Sequence, residues 1–224
     1  MNSRLKMYFV LFMLVLFSVC SCATQQKTGG FNKESGKYYN SEIGFEIDIS
    51  KDWYVLSDEQ IENMTTTMWD KTIEKGLMSK EEVEDAAKLI FCSFKYRPNI
   101  DVEKHPNIKI LFENPSKTPN IQIVIHDIEK YPTIKTEFDY LAYDPEFKSS
   151  KPTNLNPSSV FKEQFSNKDF YFLDFSEKKD TDIAINKRYT TLVGKFALSI
   201  TVSYFNEEQK KEIEGVLETM KFEK

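Results

Sequence analysis

Phe196-Ala197-Leu198-Ser199-Ile200-Thr201-Val202-Ser203-Tyr204 alternates without a break between large apolar residues and small or polar ones. A period of two belongs to a β-strand with two unlike faces. Phe196, Leu198, Ile200, Val202 and Tyr204 share one face; Ala197, Ser199, Thr201 and Ser203 share the other. Just before this run, Gly194-Lys195 separates it from a second strand-like stretch, Ile183 to Val193. A two-residue loop with glycine first joins them as a hairpin. Just after it, Asn206-Glu207-Glu208-Gln209 caps a helix in which Ile213, Val216, Leu217 and Met220 form an i, i+3, i+4, i+7 stripe. Phe222 ends the core. Hairpin followed by amphipathic helix predicts an antiparallel sheet with a helix packed on it.

Working back from the hairpin, residues 161–175 read as an aromatic strand. Residues 144–160 carry Pro145, Pro152 and Pro157 with five Ser or Thr and no period. Such a length without structure of its own is a functional flap or a disordered connection. Pro132 opens a helix with Ile134, Phe138 and Leu141 on one face. Asn107-Ile108-Lys109-Ile110 and Asn120-Ile121-Gln122-Ile123 read as a hairpin across a proline-rich loop. Residues 89–96 form a further strand. Ser57-Asp58-Glu59-Gln60 is a capping box opening a helix with Ile61, Met64, Met68 and Trp69 inward and Gly76 as its stop. A second box, Ser79-Lys80-Glu81-Glu82, starts a shorter helix with Val83, Ala86 and Ala87 inward. Phe45-Glu46-Ile47-Asp48-Ile49 alternates apolar and acidic residues, as a half-buried strand does. The domain is expected to span residues 37–224, and residues 22–36, polar and with Gly29-Gly30, to be a flexible tether on the order of 20 Å long.

At the N-terminus, Arg4 and Lys6 precede eleven uncharged, mostly apolar residues, Met7 to Phe17. That is the layout of a secretory signal, and the run is short for a bilayer-spanning helix. Leu16-Phe17-Ser18-Val19-Cys20-Ser21-Cys22 resembles the lipobox of bacterial lipoproteins: Val19 stands at −3, Ser21 at −1 and Cys22 at +1. The resemblance implies a signal peptide over residues 1–21 and lipidation of Cys22. A lipid anchor stabilises membrane attachment by ~0.8 kcal/mol per buried methylene, so two or more chains hold firmly. In the enteric lipoproteins it resembles, no Asp beside the Cys implies the outer membrane.

The full chain of 224 residues has a formal net charge of −5, and loss of Arg4 and Lys6 with the signal makes it −7. A mildly acidic domain lacks the basic stripe that nucleic acid requires. With Cys20 removed and Cys22 blocked, only Cys92 is left and no internal disulfide can form; an exported chain of this kind is held by its core. Cys92 lies in the apolar run Leu89-Ile90-Phe91-Cys92-Ser93-Phe94 and reads as a buried structural thiol.

Three features together resemble the PsbP-like family: Tyr39 to Trp53 (a Tyr, then Gly44-Phe45-x-Ile47-x-Ile49, then a Trp beside Ser50-Lys51-Asp52), the closing hairpin, and the final helix leading to Met220-Lys221-Phe222. The resemblance implies an α+β fold with one twisted antiparallel sheet flanked by helices, and binding of other proteins rather than catalysis. The matching positions are structural, so it implies no site residue.

Catalytic constellations are correspondingly thin. No G-x-S-x-G, H-E-x-x-H, phosphate loop or G-x-G-x-x-G occurs. His105 precedes a proline in a polar loop. His126, Asp127 and Glu129 could be drawn as a metal site, but adjacent strand residues point to opposite faces. Asp180-Thr181-Asp182 lacks the Gly and distal Glu of a calcium loop. The expectation is a non-enzymatic protein with no cofactor and no metal. It is a lipid-anchored interaction module of the cell envelope with a protein partner; a ligand-binding lipoprotein, or a hydrolase with an unrecognised carboxylate pair, is the alternative.

Overall fold

In the computed structural model the chain is described over residues 29–74, 76, 79–84, 87–96, 118–143, 160–179 and 182–223. Its elements run β1 (Gly29–Asn32), β2 (Lys37–Asn40), β3 (Phe45–Asp48), β4 (Tyr54–Val55), α1 (Asp58–Glu74), α2 (Lys80–Glu84), β5 (Lys88–Phe94) and β6 (Asn120–Asp127). There follow α3 (Glu137–Tyr143), β7 (Phe161–Phe165), β8 (Lys168–Lys179), β9 (Asp182–Val193), β10 (Phe196–Tyr204), α4 (Glu207–Leu217) and β11 (Lys221–Phe222). This is an α+β fold of antiparallel strands with helices packed on them.

The closing hairpin forms in the expected register, Val193 opposite Phe196 and Tyr189 opposite Ile200. Gly194 has φ +59°, the positive φ that the first position of a type II′ turn needs. β10 is the centre of a seven-stranded sheet ordered β4-β5-β6-β10-β9-β8-β7. The expected single sheet is in fact two: β1, β2, β3 and β11 make a separate four-stranded sheet. Alternation along β2 and β3 marks which side of each strand is buried but not which strand lies beside it, and the Ser50-Lys51-Asp52-Trp53 turn carries the chain from one sheet to the other.

The two sheets bury their apolar faces against each other, with α4 beside the smaller one. Phe45, Ile47 and Tyr38 from the small sheet, Ile123, Leu198 and Ile200 from the large one, and Ile213 and Leu217 from α4 belong to one core. The opposite face of the large sheet carries two smaller clusters. α1 sets Ile61 and Met64 on Cys92 and Phe94, and the α3 region sets Ile134 and Tyr140 on Ala197. Of the three helical caps read from sequence, those at Ser57 and Asn206 are formed by their side chains. Ser57 Oγ accepts from Gln60 N while Gln60 Oε1 accepts from Ser57 N, and Asn206 accepts from Gln209 N.

Four local expectations are corrected. Residues 29–36 are not tether: β1 pairs with β2, Gly29 opposite Asn40, and Phe31 packs against Phe91 with ring centroids 6.4 Å apart. Gly29 is there for close approach, since a Cβ would meet Tyr39 O at 2.8 Å. The aromatic stretch 161–175 is two strands, split by Ser166 and Asn167 at φ 51° and 64°; Asn tolerates the left-handed region, and the pair makes a two-residue turn. Pro132 does not open the helix; it lies in the turn before it, and α3 starts after Thr136, whose Oγ1 accepts from Asp139 N. Asn107–Ile110 lies outside the described residues, and both edges of Asn120–Ile123 are taken, by β5 and by β10.

Candidate functional site

The β7 end of the large sheet carries an aromatic run that reaches the surface. Phe161 stands opposite Phe172 in register, and the rings stack at 5.5 Å and 29°. Phe172 meets Tyr189 at 5.2 Å, Tyr189 meets Phe165 at 5.3 Å, and Phe165 meets Phe170 at 5.6 Å. Phe170 in turn reaches Phe222 of the small sheet, 6.1 Å away. Phe165, Phe170 and Tyr189 are buried and Phe172 and Phe222 partly so, but Phe161 is 51% exposed. Phe161 is thus the exposed end of an otherwise packed aromatic run.

Charge around this run is arranged unevenly. Lys187 lies over the Phe172 ring, Nζ 4.7 Å from its centroid, and 3.9 Å from Asp174. Its side chain is mostly covered, so that ammonium is committed to the ring and the carboxylate. Glu163, Asp174 and Glu214 all bear on the hydroxyls of Tyr189 and Tyr204. Burial first, then these carboxylates, push Tyr189 well above the usual tyrosine range and Tyr204 up to about 12. These carboxylates share the aromatic end with cations: besides Lys187, Lys168 lies over the Phe222 ring, Nζ 5.4 Å from its centroid.

No family profile matches the chain, and no curated protein matches it. Solved structures similar to it share its fold only loosely. A Bacteroides thetaiotaomicron protein has a TM-score of 0.47 at 11% identity over 85% of this chain and 49% of its own, so this chain spans about half that protein's length. LpqN of Mycobacterium tuberculosis, described as involved in cell envelope biogenesis, has a TM-score of 0.42 at 11% identity, covering 80% of this chain and 83% of its own. Cyanobacterial PsbP (CyanoP) from Synechocystis has a TM-score of 0.43 at 10% identity, covering 84% of this chain and 91% of its own. At similarities this low, no property of these proteins passes to this chain.

The residues singled out from sequence do not gather at the aromatic end. Cys22, His105 and residues 144–159 lie outside the described residues, as do Asp180 and Thr181. His126 is buried against Tyr131 and Tyr140, ring centroids 5.3 and 5.7 Å away. Asp127 points the other way and pairs with Lys195 at 2.7 Å, as strand alternation requires. Among the described residues no group of three His, Cys, Asp or Glu could hold a metal ion. Cys92 is fully buried, and burial alone pushes its thiol up to about 12, so it is not a nucleophile at neutral pH.

Two other polar groups are structural. On the outer face of the large sheet, Thr190 and Ser199 hydroxyls bond across the strands at 3.1 Å, Arg188 Nε donates to Thr201 at 3.2 Å, and Ser203 donates to Asn186 at 2.5 Å. All three are register pairs of β9 and β10, so this polar stripe satisfies itself. Near the turn between the sheets, Glu212 of α4 accepts from Trp53 Nε1 at 3.2 Å and from Lys95 Nζ, and Lys95 also reaches Asp52 at 2.8 Å. The bond to Lys95 holds the Asp52 carboxyl below its usual range, and the bonds to Asp52 and Glu212 hold Lys95 above its own. The cluster pins α4 to the turn at Trp53.

Phe161, Phe172, Lys187 and Tyr189 were not singled out from sequence as a site. The available signal was the aromatic density of residues 161–175; what it lacked was the Ser166-Asn167 turn that folds Phe161 onto Phe172.

Proposed function

We propose that the chain is a lipid-anchored protein of the bacterial cell envelope, held at Cys22, whose domain docks other proteins through the aromatic end of its large sheet. The observation that carries the docking is Phe161, stacked on Phe172 and half in water. The Val19-x-Ser21-Cys22 register supports the anchor. No helix among the described residues is long and apolar enough to cross a membrane. Docking of this kind needs no catalytic group, and neither cofactor nor metal enters it.

Two measurements test the two halves separately. Cys22→Ala is expected to release the protein from membranes or to leave uncleaved precursor, and globomycin to block processing of the native chain; unchanged processing and fractionation would overturn the anchor. In-cell crosslinking of the native chain is expected to trap an envelope protein in stoichiometric amount, and Phe161→Ser to abolish the product at unchanged thermal stability. A crosslink indifferent to Phe161 would place docking elsewhere.

A further inference from the structure

We infer that β7 is a strand-addition site, taking an extended partner segment that carries an apolar and a basic residue two positions apart, on one face of the strand. This rests on the docking reading above and adds the mode of contact and the class of partner.

The backbone argument comes first. β7 is the last strand of the seven-stranded sheet and pairs only with β8 among the described residues. Ser166 and Asn167 both have positive φ, which makes a type I′ turn, and the residues flanking such a turn, here Phe165 and Lys168, form a hydrogen-bonded pair. Along β7 the direction then alternates. Phe161 and Glu163 bond inward to β8, while Lys162 and Gln164 turn their N–H and C=O groups outward. Lys162 and Gln164 are exposed residues, and no described strand lies beside that outward row.

Sheet edges are usually guarded by proline, a bulge, extreme shortness or a lysine laid across the edge. The opposite edge strand, β4, has two residues. β7 has five, FKEQF, with no proline, and its five pairs with β8 run without a register shift. Its one guard, Lys162, is drawn back onto β8, where Nζ pairs with Asp169 at 2.7 Å.

Side chains then select the partner. An added strand would lay alternate residues beside Phe161 and Glu163 on the core-side face. An apolar residue there covers the Phe161 ring, as cross-strand pairs do. A basic residue two positions along the same face lies beside Glu163, an opposite-charge cross-strand neighbour; the lysines of that face, Lys168 and Lys187, already lie over the Phe222 and Phe172 rings. An acidic residue at the same position is repelled.

The test uses the full-length chain in detergent and a Lys–Val octapeptide, Thr-Val-Thr-Lys-Thr-Val-Thr-Lys, which sets Val and Lys two apart on one strand face. Its controls are the Glu–Val counterpart and a Lys–Val peptide with a central proline. The Lys–Val peptide is expected to bind at least about tenfold more tightly than either control, with slowed hydrogen exchange at the Lys162 and Gln164 amides. Gln164→Pro removes an outward N–H and leaves the β8 ladder intact; it and Phe161→Ala are each expected to weaken binding about tenfold or more. Should Gln164→Pro disturb the hairpin, the exposed Phe161→Ala still decides. Equal affinity for the Lys–Val and Glu–Val peptides, affinity unmoved by Phe161→Ala, or amides already protected without peptide would each overturn the assignment. If the crosslinked envelope protein persists in Gln164→Pro but is lost in the Phe161 variant, the edge assignment falls and docking stands. If the peptides behave as stated but no envelope protein is trapped, the docking reading falls and the edge chemistry stands.

Discussion

The hydroxyl of Tyr38 donates a hydrogen bond to the carbonyl of Ile90, 3.1 Å away. Ile90 is the residue of β5 that falls out of step with β6, where the register shifts between Leu89 and Phe91. A bulge leaves a backbone group outside the ladder, and here a side chain from the other sheet satisfies it. The Tyr38 ring meanwhile packs on Phe91, centroids 4.7 Å apart. Tyr38→Phe keeps the ring and removes the donor. It also removes the acceptor of Asn40 Nδ2, and it is expected to cost about 1–3 kcal/mol, the range for a covered polar group losing its partner. Urea denaturation checks this; unchanged stability would mean that the carbonyl finds another donor.

Neighbouring positions on β10 should respond very differently. Ile200 is wholly buried between the sheets, and Ile200→Ala is expected to cost about 2–5 kcal/mol through lost burial and the cavity left behind. Thr201 sits on the outer face and accepts from Arg188. Thr201→Ala removes one part-buried bond and should cost about 1 kcal/mol. Denaturation of both variants side by side decides; equal losses would contradict the two-faced strand.

The β7–β8 turn is open to improvement. Ser166 holds φ 51°, a region that costs a non-glycine residue about 1 kcal/mol or more. Replacing the pair by the preferred type I′ sequence, Ser166→Asn with Asn167→Gly, is expected to stabilise the domain by about 0.5–1 kcal/mol. A calorimetric midpoint that falls instead would show that the two side chains make contacts the turn needs.

Stability should decline in alkali for a stated reason. Burial raises the Cys92 thiol from 9.0 to about 12 and the Tyr38 hydroxyl from 10.0 to about 12. The folded chain thus keeps protons that the unfolded chain releases. Their contribution is complete below pH 9 and is lost as pH rises toward about 12. Cys92→Ala should flatten the fall between pH 9 and about 12, whatever its stability at neutral pH. Denaturation midpoints across that range test it; parallel curves for the two proteins would show that the thiol does not contribute.

Much of the local structure was legible in the chain. Ser57 with Gln60 and Asn206 with Gln209 announce helix starts because capping chemistry is local, needing only residues three apart. The 196–204 alternation identifies β10 and its buried face because pleating forces a period of two. What failed was what lies between neighbours. Ser166-Asn167 was passed over because its type I′ geometry rests on two backbone angles that Ser only tolerates. Gly29-Gly30 looked like tether because glycine serves equally in a loose linker and where two backbones touch, as Gly29 does at Tyr39.

The sequence by itself therefore determined the capped helices at Ser57 and Asn206 and the two-faced closing strand, since capping and pleating follow from short-range sterics and burial. It also determined the Val19-x-Ser21-Cys22 pattern from which the anchor is proposed. Only the tertiary structure decided that the strands divide into two sheets. It also decided that Tyr38 completes the bulge at Ile90 and that Phe161 ends an aromatic run beside Glu163, Asp174 and Glu214. Those outcomes depend on pairings between residues far apart in the chain, and alternation within a strand carries no record of its neighbour.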